Sequence, residues 1–391
     1  MKIENVAINL IIPYKENTKK HDKKQIKQVA DSIKRFGFVQ SLVIDKDNNL
    51  IIGHCRLLAA KLLDLKEVPV IKAESLTKEE VKALRLTDNK LNESPWEMNL
   101  VVDELKGLSD ELVDLTGFDR DLLIEPDEKD DVVPESAPSI SKLGDLYELG
   151  RHRVLCGDST KREDVERLMN GLGKLIQKVV IITDPPYGIN LDTDYSDMEG
   201  WHKSKKYKKV IGDKKQFNYR DFEYLNADEE FWWGADYYTD TLPNYGKDGS
   251  WFVWDKRVDE SKDKMFGSGF EMLWSKVKHQ RRLLRVMWAG FMGSVEASKR
   301  VHPTQKPTKV IMEIIKEYTK SKDIILDLFL GSGTILIACE KTNRICYGME
   351  LDEHYCDVIV QRYVDYTDNE NIKKNGKEII WKKSEKNLVR S

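Results

Sequence analysis

An apolar run that ends in two consecutive prolines constrains the fold of this chain more than any other feature. The run VVIIT, residues 179–183, leads directly into DPPYG, residues 184–188. A run of this length, rich in β-branched residues and followed by prolines, is typical of a buried strand in a parallel sheet. The carboxyl ends of such strands line the ligand cleft of open α/β sheets. We therefore expect the DPPY tetrapeptide to lie at a binding cleft.

The rest of the chain divides into regions of different pattern. Strands and helices alternate over residues 141–366, which predicts a doubly wound α/β sheet with helices on both faces. Residues 1–92 predict a smaller α+β unit, in which Thr77 and Glu80 have the spacing of a helix-capping box. Residues 93–124 are interpreted as a helical connector. Residues 125–140 are acidic, rich in Pro and Ser and too poor in apolar residues to fold, so they are interpreted as a linker, and residues 367–391 as a basic peripheral tail.

Composition narrows the functional classes. The 391 residues suit two or three domains, and 34% charged residues with a mean hydropathy of -0.54 describe a globular chain without a membrane-spanning run. No secretory signal pattern is visible at the start, so a cytoplasmic location is expected. The net charge of -3 means that any nucleic-acid binding has to come from local basic patches. The five cysteines form no CxxC pair, so neither disulfides nor a metal site are expected.

The DPPY residues suit one difficult reaction. Asp184 offers a carboxylate, Pro185 and Pro186 leave carbonyl oxygens free to accept from an amine, and Tyr187 offers an aromatic face. An exocyclic base amine is a poor nucleophile because its lone pair is delocalised into the ring, and acceptors on its hydrogens would favour attack on a methyl donor. The base must first leave the duplex stack, and stacking on an aromatic ring would offset part of that cost. The alternative is a turn that merely ends a strand.

A second motif lies downstream, where DIILDLF, residues 323–329, enters the turn Gly331-Ser332-Gly333-Thr334. A strand, a glycine turn and a helix N-terminus form a general cradle for a polar cofactor. The turn is neither a P-loop nor a complete dinucleotide fingerprint. Glu350 follows Gly331 by 19 positions, the spacing at which an acid meets ribose hydroxyls. Asp158, at the end of another strand, is either a ligand contact or a free turn residue.

Several segments together identify a family resemblance. They are LGDLYELGRHRVLCGDST, TDPPYGIN, WFVWDKR, HPTQKP (302–307), DLFLGSGT and GMELDEHY. Residues 141–366 resemble the beta class of DNA amino-methyltransferases, which implies a class I, Rossmann-like fold with a circularly permuted motif order and S-adenosylmethionine as cofactor. The resemblance implies that Asp158 meets the cofactor adenine, Glu350 the ribose, and the remaining residues the methionine part and its surroundings: Lys306, Asp327, Phe329, Gly331, Ser332, Gly333 and Thr334. Ile335 departs from the family, which often has a second threonine there.

The resemblance also implies the reaction. It is methyl transfer to a base flipped out of double-stranded DNA, with Asp184, Pro185, Pro186 and Tyr187 holding that base. Aspartate at 184 favours N6 of adenine, because the N4-cytosine enzymes commonly have serine there; N4 of cytosine remains the alternative. A carbon-5 cytosine enzyme is disfavoured because no Pro-Cys pair occurs. The rival from another class is a ParB-like DNA-binding protein with an inactive methylase fold.

Two basic stretches are candidates for DNA contact. The first interleaves lysines with aromatic residues just after the catalytic strand, and is expected either to close over DNA or to form a solvated loop; its lysines are Lys203, Lys205, Lys206 and Lys208. The second is expected to face phosphates and includes Lys278, Arg281 and Arg282.

The N-terminal unit resembles the ParB and sulfiredoxin superfamily over about residues 5–92, mainly through IIGHCRLLAA, residues 51–60. Gly53, His54 and Arg56 form a glycine turn before a helix, which suits a nucleotide phosphate such as that of CTP. The alternative is a module kept for DNA tethering or for contacts within the protein. Sulfiredoxins have Cys before His where this chain has His54 before Cys55, which disfavours peroxiredoxin repair. The oligomeric state stays open, with a homodimer among the options.

Overall fold

The computed structural model describes residues 2–14, 21–91, 97–118, 120–127, 129–134, 137–170, 178–190, 211–257, 260, 268–287 and 305–384. The chain forms two compact units, Met1–Leu123 and Ile124–Ser391. No helix in the described ranges combines the length and the hydropathy needed to cross a membrane.

The first unit is a small α+β fold around a four-stranded sheet of order β1-β4-β2-β3, in which β2 and β4 are parallel. Thr77 and Glu80 form the predicted capping box: the Thr77 backbone amide donates to Glu80 Oε2 (2.7 Å) and the Glu80 amide to Thr77 Oγ1 (3.3 Å). The elements are β1 Ile3–Ala7, α1 Lys23–Phe36, β2 Leu42–Ile44, β3 Leu50–Ile52, α2 His54–Leu62, β4 Glu67–Lys72, α3 Lys78–Leu91, α4 Met98–Lys106 and α5 Asp110–Thr116.

The helical segment predicted as a connector belongs to this first unit. Leu105 of α4 and Val113 of α5 are buried, with 3% and 1% of their surface exposed, and a short 3-10 helix at Arg120–Leu123 ends the unit. Burial of one apolar face, which a free connector lacks, explains why the unit extends past residue 92.

The second unit contains an eleven-stranded sheet of order β11-β9-β10-β8-β7-β12-β13-β6-β5-β14-β15. Its helices and strands are β5 Leu146–Leu149, β6 His152–Cys156, α6 Arg162–Met169, β7 Val179–Thr183, β8 Glu229–Trp233, β9 Ser250–Asp255, β10 Phe270–Ser275, β11 Arg282–Arg285, α7 Thr308–Tyr318, β12 Ile324–Asp327, α8 Thr334–Lys341, β13 Ile345–Glu350, α9 Glu353–Thr367, β14 Asn371–Lys374 and β15 Lys377–Ile380. Short 3-10 helices occur at Tyr219–Leu225, Ala235–Thr241 and Pro243–Gly246.

The predicted buried strand, β7, lies in the middle of this sheet. Its neighbours β8 and β12 are both parallel to it. Val180 and Ile182 pack into the core on one face, while Ile181 packs into the core on the other. The doubly wound fold is therefore confirmed, and the alternation across two covered faces explains why β7 is apolar from Val179 to Ile182. The sheet is mixed, because β10, β5, β14 and β15 add antiparallel pairs at its flanks.

Two terminal segments of the second unit differ from their predicted roles. The segment predicted as a linker packs against the second unit: Asp130 is fully buried and Val133 nearly so. The carboxylate of Asp130 can be buried because the Lys341 ammonium pairs with it. The predicted basic tail forms the hairpin β14–β15 through residue 380. Trp381 is 3% exposed and its indole donates to Gln361. Burial of apolar side chains between the lysines attaches this hairpin to the sheet.

Candidate active site

The site begins where two parallel strands end side by side. Thr183 at the end of β7 donates from Oγ1 to Asp327 Oδ1 (2.7 Å) at the end of β12, and the Leu328 amide donates back to Thr183 Oγ1 (3.1 Å). These bonds join the DPPY strand to the strand that precedes the glycine turn. The two motifs, more than 140 positions apart in the chain, therefore lie at one edge of the sheet.

Asp184 is held by two donors. Its Oδ1 accepts from the Tyr187 hydroxyl (2.6 Å) and its Oδ2 lies 2.5 Å from the Lys306 ammonium. Lys306 is also 3.2 Å from Glu271 Oε2 and 5.0 Å from the centre of the Trp233 ring. The family resemblance implied a place for Lys306 beside the methionine part of a cofactor; the structure pairs it with the carboxylates of Asp184 and Glu271.

Burial and charge set the protonation of this group. Burial raises the pKa of Asp184, and the Lys306 ammonium offsets part of that rise. Burial also acts to raise the pKa of Glu271, but Lys306 and Lys256 outweigh it and bring that pKa down to about 2. Burial lowers the pKa of Lys306, and Asp184 and Glu271 more than reverse the effect. Lys306 is therefore a buried cation with two carboxylates within reach.

The Tyr187 ring is packed more tightly than the sequence implied. A Cβ atom on Gly234 would lie 2.1 Å from its Cε1, and Gly234 has a φ of 62°, so glycine is required there on both grounds. Tyr237 stacks on Tyr187 with ring centres 5.0 Å apart and an interplanar angle of 9°. Because Tyr237 is 49% exposed, the stack reaches solvent.

The glycine turn is fixed by the acid at the end of β13. The Gly331 amide donates to Glu350 Oε2 (2.8 Å) and the Asp352 amide to Oε1 (2.9 Å). Gly331 and Gly333 have φ angles of 55° and 83°, which L side chains rarely adopt. Burial raises the pKa of Glu350 to about 7. Burial likewise raises the pKa of Asp327 to about 7.

The remaining predicted cofactor residues surround this turn. Phe329 packs edge-on against Phe217 with ring centres 5.7 Å apart. Ser332 and Thr334 are buried, and both contact the guanidinium of Arg362. Asp158 lies at the neighbouring strand end, where its Oδ1 accepts from the amide (3.0 Å) and the hydroxyl (2.7 Å) of Thr160.

The acceptor groups around the turn suit a cationic ligand that carries hydroxyl groups. Asp158, Asp327 and Glu350 place carboxylates around the turn, and carboxylates accept from hydroxyls and attract positive charge. The same charges would repel a phosphate, although a helix N-terminus alone would attract one. Within the described ranges, no group of three or more acidic, His or Cys side chains is arranged to hold a metal ion.

The two basic stretches have different outcomes. Lys203, Lys205, Lys206 and Lys208 lie outside the described residues. Lys278 and Arg281 line a cavity of about 420 Å³ together with Lys247, Tyr245 and Trp251. Arg282, at the start of β11, is paired with Glu317. The structure thus places this second stretch at the flank of the sheet and not beside Asp184.

The N-terminal candidate pocket has the expected glycine turn before a helix, and one of its side chains has an unsatisfied hydrogen-bonding group. Gly53 has a φ of 102° and precedes α2 directly. Among the described residues, the buried Nε2 of His54 has no hydrogen-bond partner. The Arg56 guanidinium donates to the Gln40 carbonyl (2.9 Å). Burial raises the pKa of the Cys55 thiol, which makes the reactive thiolate scarcer and agrees with the expectation against redox repair.

Sequence reasoning missed three residues of the site. Glu271 and Tyr237 come from β10 and from the 3-10 helix after β8, and Gly234 separates these aromatic segments from β8 itself. The run WWGADYY, residues 232–238, contains a glycine between aromatic residues directly after a strand, which was an available signal for Gly234 and Tyr237. Glu271 has no such signal, because its role depends on the register of an antiparallel pair.

Comparisons with known proteins agree with this division. Residues 204–361 match a family model described as DNA methylase, and residues 1–90 match one described as ParB N-terminal domain. The ParB-like nuclease domain-containing protein YnaK of Escherichia coli (strain K12) is 36% identical over 80 residues, which cover 20% of this chain and 92% of YnaK. The type II methyltransferase M.BglII of Bacillus subtilis is 39% identical over 61 residues, 16% of this chain and 17% of that enzyme. The chain thus spans under a fifth of that methyltransferase.

A solved structure of the M1.HpyAVI-SAM complex covers 54% of this chain and 98% of its own, with 19% identity and a TM-score of 0.32.

Proposed function

We propose that this chain, which belongs to the ParB N-terminal domain family over residues 1–90 and matches the DNA methylase family over residues 204–361, transfers a methyl group from S-adenosylmethionine to an exocyclic amine of a DNA base. One observation carries the proposal. Asp184, held at the end of β7, lies on the same sheet edge as the glycine turn after β12, because Thr183 and Asp327 are hydrogen-bonded. A base-side carboxylate and a cofactor cradle thus share one cleft.

The residues around the glycine turn would hold the cofactor. S-adenosylmethionine, when bound, supplies a methyl group on a positively charged sulfur. Glu350 accepts from the Gly331 amide and retains lone pairs for hydroxyl groups. Asp327, whose pKa is raised to about 7 by burial, adds negative charge at the adjoining strand end as it ionises.

Asp184 would orient the target amine and hold a proton that it loses. Each carboxylate oxygen already accepts from one donor and retains a second lone pair, which the incoming amine would use. Lys306 would stay beside Asp184 while the amine binds, and Glu271, 3.2 Å from its ammonium, helps to hold it there. Tyr187 would stack on the extruded base. Tyr237 already stacks on this ring, so the base uses the opposite face or takes the place of Tyr237.

We propose N6 of adenine as the acceptor, with N4 of cytosine as the alternative. Support comes from the aspartate at position 184, where the N4-cytosine enzymes commonly have serine. The experiment is expression of the full chain in a host without DNA methylation, followed by sequencing that maps modified bases and mass spectrometry of the nucleosides. N6-methyladenine at one short sequence motif is expected. N4-methylcytosine would correct the acceptor, whereas unmodified DNA would favour the rival ParB-like binding protein with an inactive methylase fold.

We propose that the basic residues act through DNA phosphates. Lys203, Lys205, Lys206 and Lys208 follow the catalytic strand in the chain and would meet phosphates near the target base. Lys278 and Arg281 flank β11, four strand spacings or about 19 Å from β7. That distance corresponds to about six base-pair steps of duplex. Arg282 would contribute only if its pair with Glu317 opened.

For the N-terminal unit we propose a nucleotide-phosphate site at Gly53, His54 and Arg56, with CTP as the first ligand to test. The unpartnered Nε2 of His54 and the amino end of α2 support it. Calorimetry of the full chain with CTP, ATP and GTP is the test. If none of the three nucleotides produces a heat of binding, the alternative role of this unit in DNA tethering is favoured.

A further inference from the structure

The acidic segment that precedes the methylase domain is bonded to the start of α7, the helix next to Lys306. We define the strap as residues 124–134, of which all but residue 128 are described. Asp131 Oδ1 accepts from both the backbone amide and the hydroxyl of Thr308, each at 2.7 Å. The Asp131 carbonyl accepts from the Gln305 side-chain amide (3.1 Å). The strap thus contacts both ends of the four-residue stretch that carries Lys306.

These bonds supply a cap that the helix lacks locally. Pro307 occupies the N-cap position of α7 and provides no side-chain acceptor, although helix N-termini depend on such acceptors. A carboxylate is also favoured there by the helix dipole. Asp131 fills this role from a position far away in the sequence, which leaves the start of α7 dependent on the strap.

The strap is itself rigidly held. Asp130 is fully buried, and its carboxylate pairs with Lys341 (2.8 Å) and accepts from the Tyr366 hydroxyl (3.1 Å). Its carbonyl accepts from Arg362 (2.7 Å), and the same guanidinium donates to the Ser332 carbonyl of the glycine turn (2.8 Å). An element anchored by buried ion pairs transmits its position to its neighbours.

We propose that Asp131 is a positioning residue for methyl transfer, because by capping α7 it fixes Lys306 against Asp184. The inference rests on the proposed function and adds a residue that touches neither the base nor the cofactor. The strap then has two roles. The side chain of Asp131 positions the stretch that carries Lys306, while Asp130 is linked through Arg362 to the glycine turn.

The experiment compares Asp131→Ala with Asp131→Asn in the full chain. Asparagine keeps the Oδ1 acceptor, so it should retain kcat within about threefold. Alanine removes the cap, and the equilibrium that favours the folded first turn of α7 should fall about tenfold. Because Lys306 is then held in place less often, kcat should fall about tenfold. The acid limb of the kcat profile should move to higher pH, since a displaced Lys306 holds the ionised form of Asp184 less strongly. Affinity for S-adenosylmethionine, measured by calorimetry, should stay within about twofold.

Asp127→Ala is the matched control, because that carboxylate pairs with Lys341 and not with Thr308; its kcat and pH profile should equal those of the parent chain. An Asp131→Ala protein that is less heat-stable but has an unchanged kcat and acid limb would overturn the inference.

Hydrogen exchange provides a readout independent of activity. The backbone amides of Gln305, Lys306 and residues 308–310 should exchange about tenfold faster in Asp131→Ala and at the parental rate in Asp131→Asn. Unchanged exchange in Asp131→Ala contradicts the inference even if the parent chain methylates DNA. A parent chain that transfers no methyl group to any DNA overturns the proposed function and with it the positioning role, whereas faster exchange would still establish the cap.

Discussion

The molecule contains the same local motif twice, a strand followed by a left-handed glycine and a helix, with opposite charges around it. In the N-terminal unit, β3 is followed by Gly53 and α2, and the nearby side chains are His54 and Arg56. In the methylase unit, β12 is followed by the turn containing Gly333, then α8. The nearby charged side chains there are the carboxylates of Asp327 and Glu350 and one cation, Arg362, which donates to the Ser332 carbonyl. The glycine geometry predicts only that a ligand can approach a helix N-terminus. We propose that the surrounding charged side chains select the ligand, which would be an anion at the first turn and a cation with hydroxyl groups at the second.

Removal of Asp184 tests whether chemistry can be separated from both ligand sites. Asp184→Ala should lower methyl transfer about a thousandfold or more, because the attacking amine loses its carboxylate. Affinities for DNA, S-adenosylmethionine and nucleotide should change little. A tritiated-methyl assay with calorimetry measures all four quantities. Full activity in Asp184→Ala would contradict the proposed mechanism.

Removal of Glu350 tests the acidic turn. Glu350→Ala leaves the Gly331 and Asp352 amides without their acceptor, and the Kd for S-adenosylmethionine should rise about ten- to a hundredfold. Glu350→Gln, which keeps one acceptor oxygen, should lose less. Nucleotide binding at Gly53 should be unaffected. If NAD or ATP binds at residues 321–350 and S-adenosylmethionine does not, the charge argument is wrong for this turn.

Removal of the Tyr187 ring tests whether capture of the extruded base can be separated from the chemical step. Stacking of a base on an aromatic ring is worth about 1 to 3 kcal/mol, so Tyr187→Ala should lower transfer about ten- to a hundredfold. Tyr187→Phe should retain most activity, although it loses the bond to Asp184. A mismatch at the target base should partly rescue Tyr187→Ala and should not rescue Asp184→Ala, since only extrusion becomes easier. Equal rescue of both variants would contradict the division of roles.

Removal of Arg56 tests the basic turn. Arg56→Ala should weaken nucleotide binding about tenfold, because a charge-assisted bond to phosphate is lost. Arg56→Lys should recover part of it, since the charge stays and the fork is lost. Affinity for S-adenosylmethionine is the internal control and should not change. A parallel loss at both sites would show that the substitution unfolds the chain.

The smallest expected effect is a difference in pH dependence. The pKa of Glu350 is raised to about 7, so the carboxylate becomes fully charged only as pH rises through 7. Affinity for S-adenosylmethionine should therefore rise from pH 6 to pH 8 by less than about tenfold, and Glu350→Gln should flatten the curve. Burial lowers the pKa of His54, so nucleotide affinity should not rise over the same interval. Calorimetry at three pH values measures both.

Much of the fold followed from local pattern. The β7 strand, the capping box at Thr77 and the glycine turn before α8 occur where the sequence predicted them, because apolar alternation, caps and glycine conformations depend on near neighbours. The strap and the C-terminal hairpin were misinterpreted. Their composition is polar, and their stability comes from partners such as Lys341 and Arg362 that are distant in sequence.

By itself, the sequence determined which chemical groups this protein brings to a cleft: Asp184 and Tyr187 after one buried strand, a glycine turn after another, and Glu350 at ribose spacing. Only the tertiary structure decided how those groups are paired. In the folded protein Asp184 is bonded to Lys306 and Tyr187. Glu271, from an antiparallel strand, pairs with the same lysine, and Asp131 caps α7. The physical reason is that a chain encodes its elements through contacts a few residues apart, whereas a buried charge takes its partner from whichever element packing places within about 3 Å.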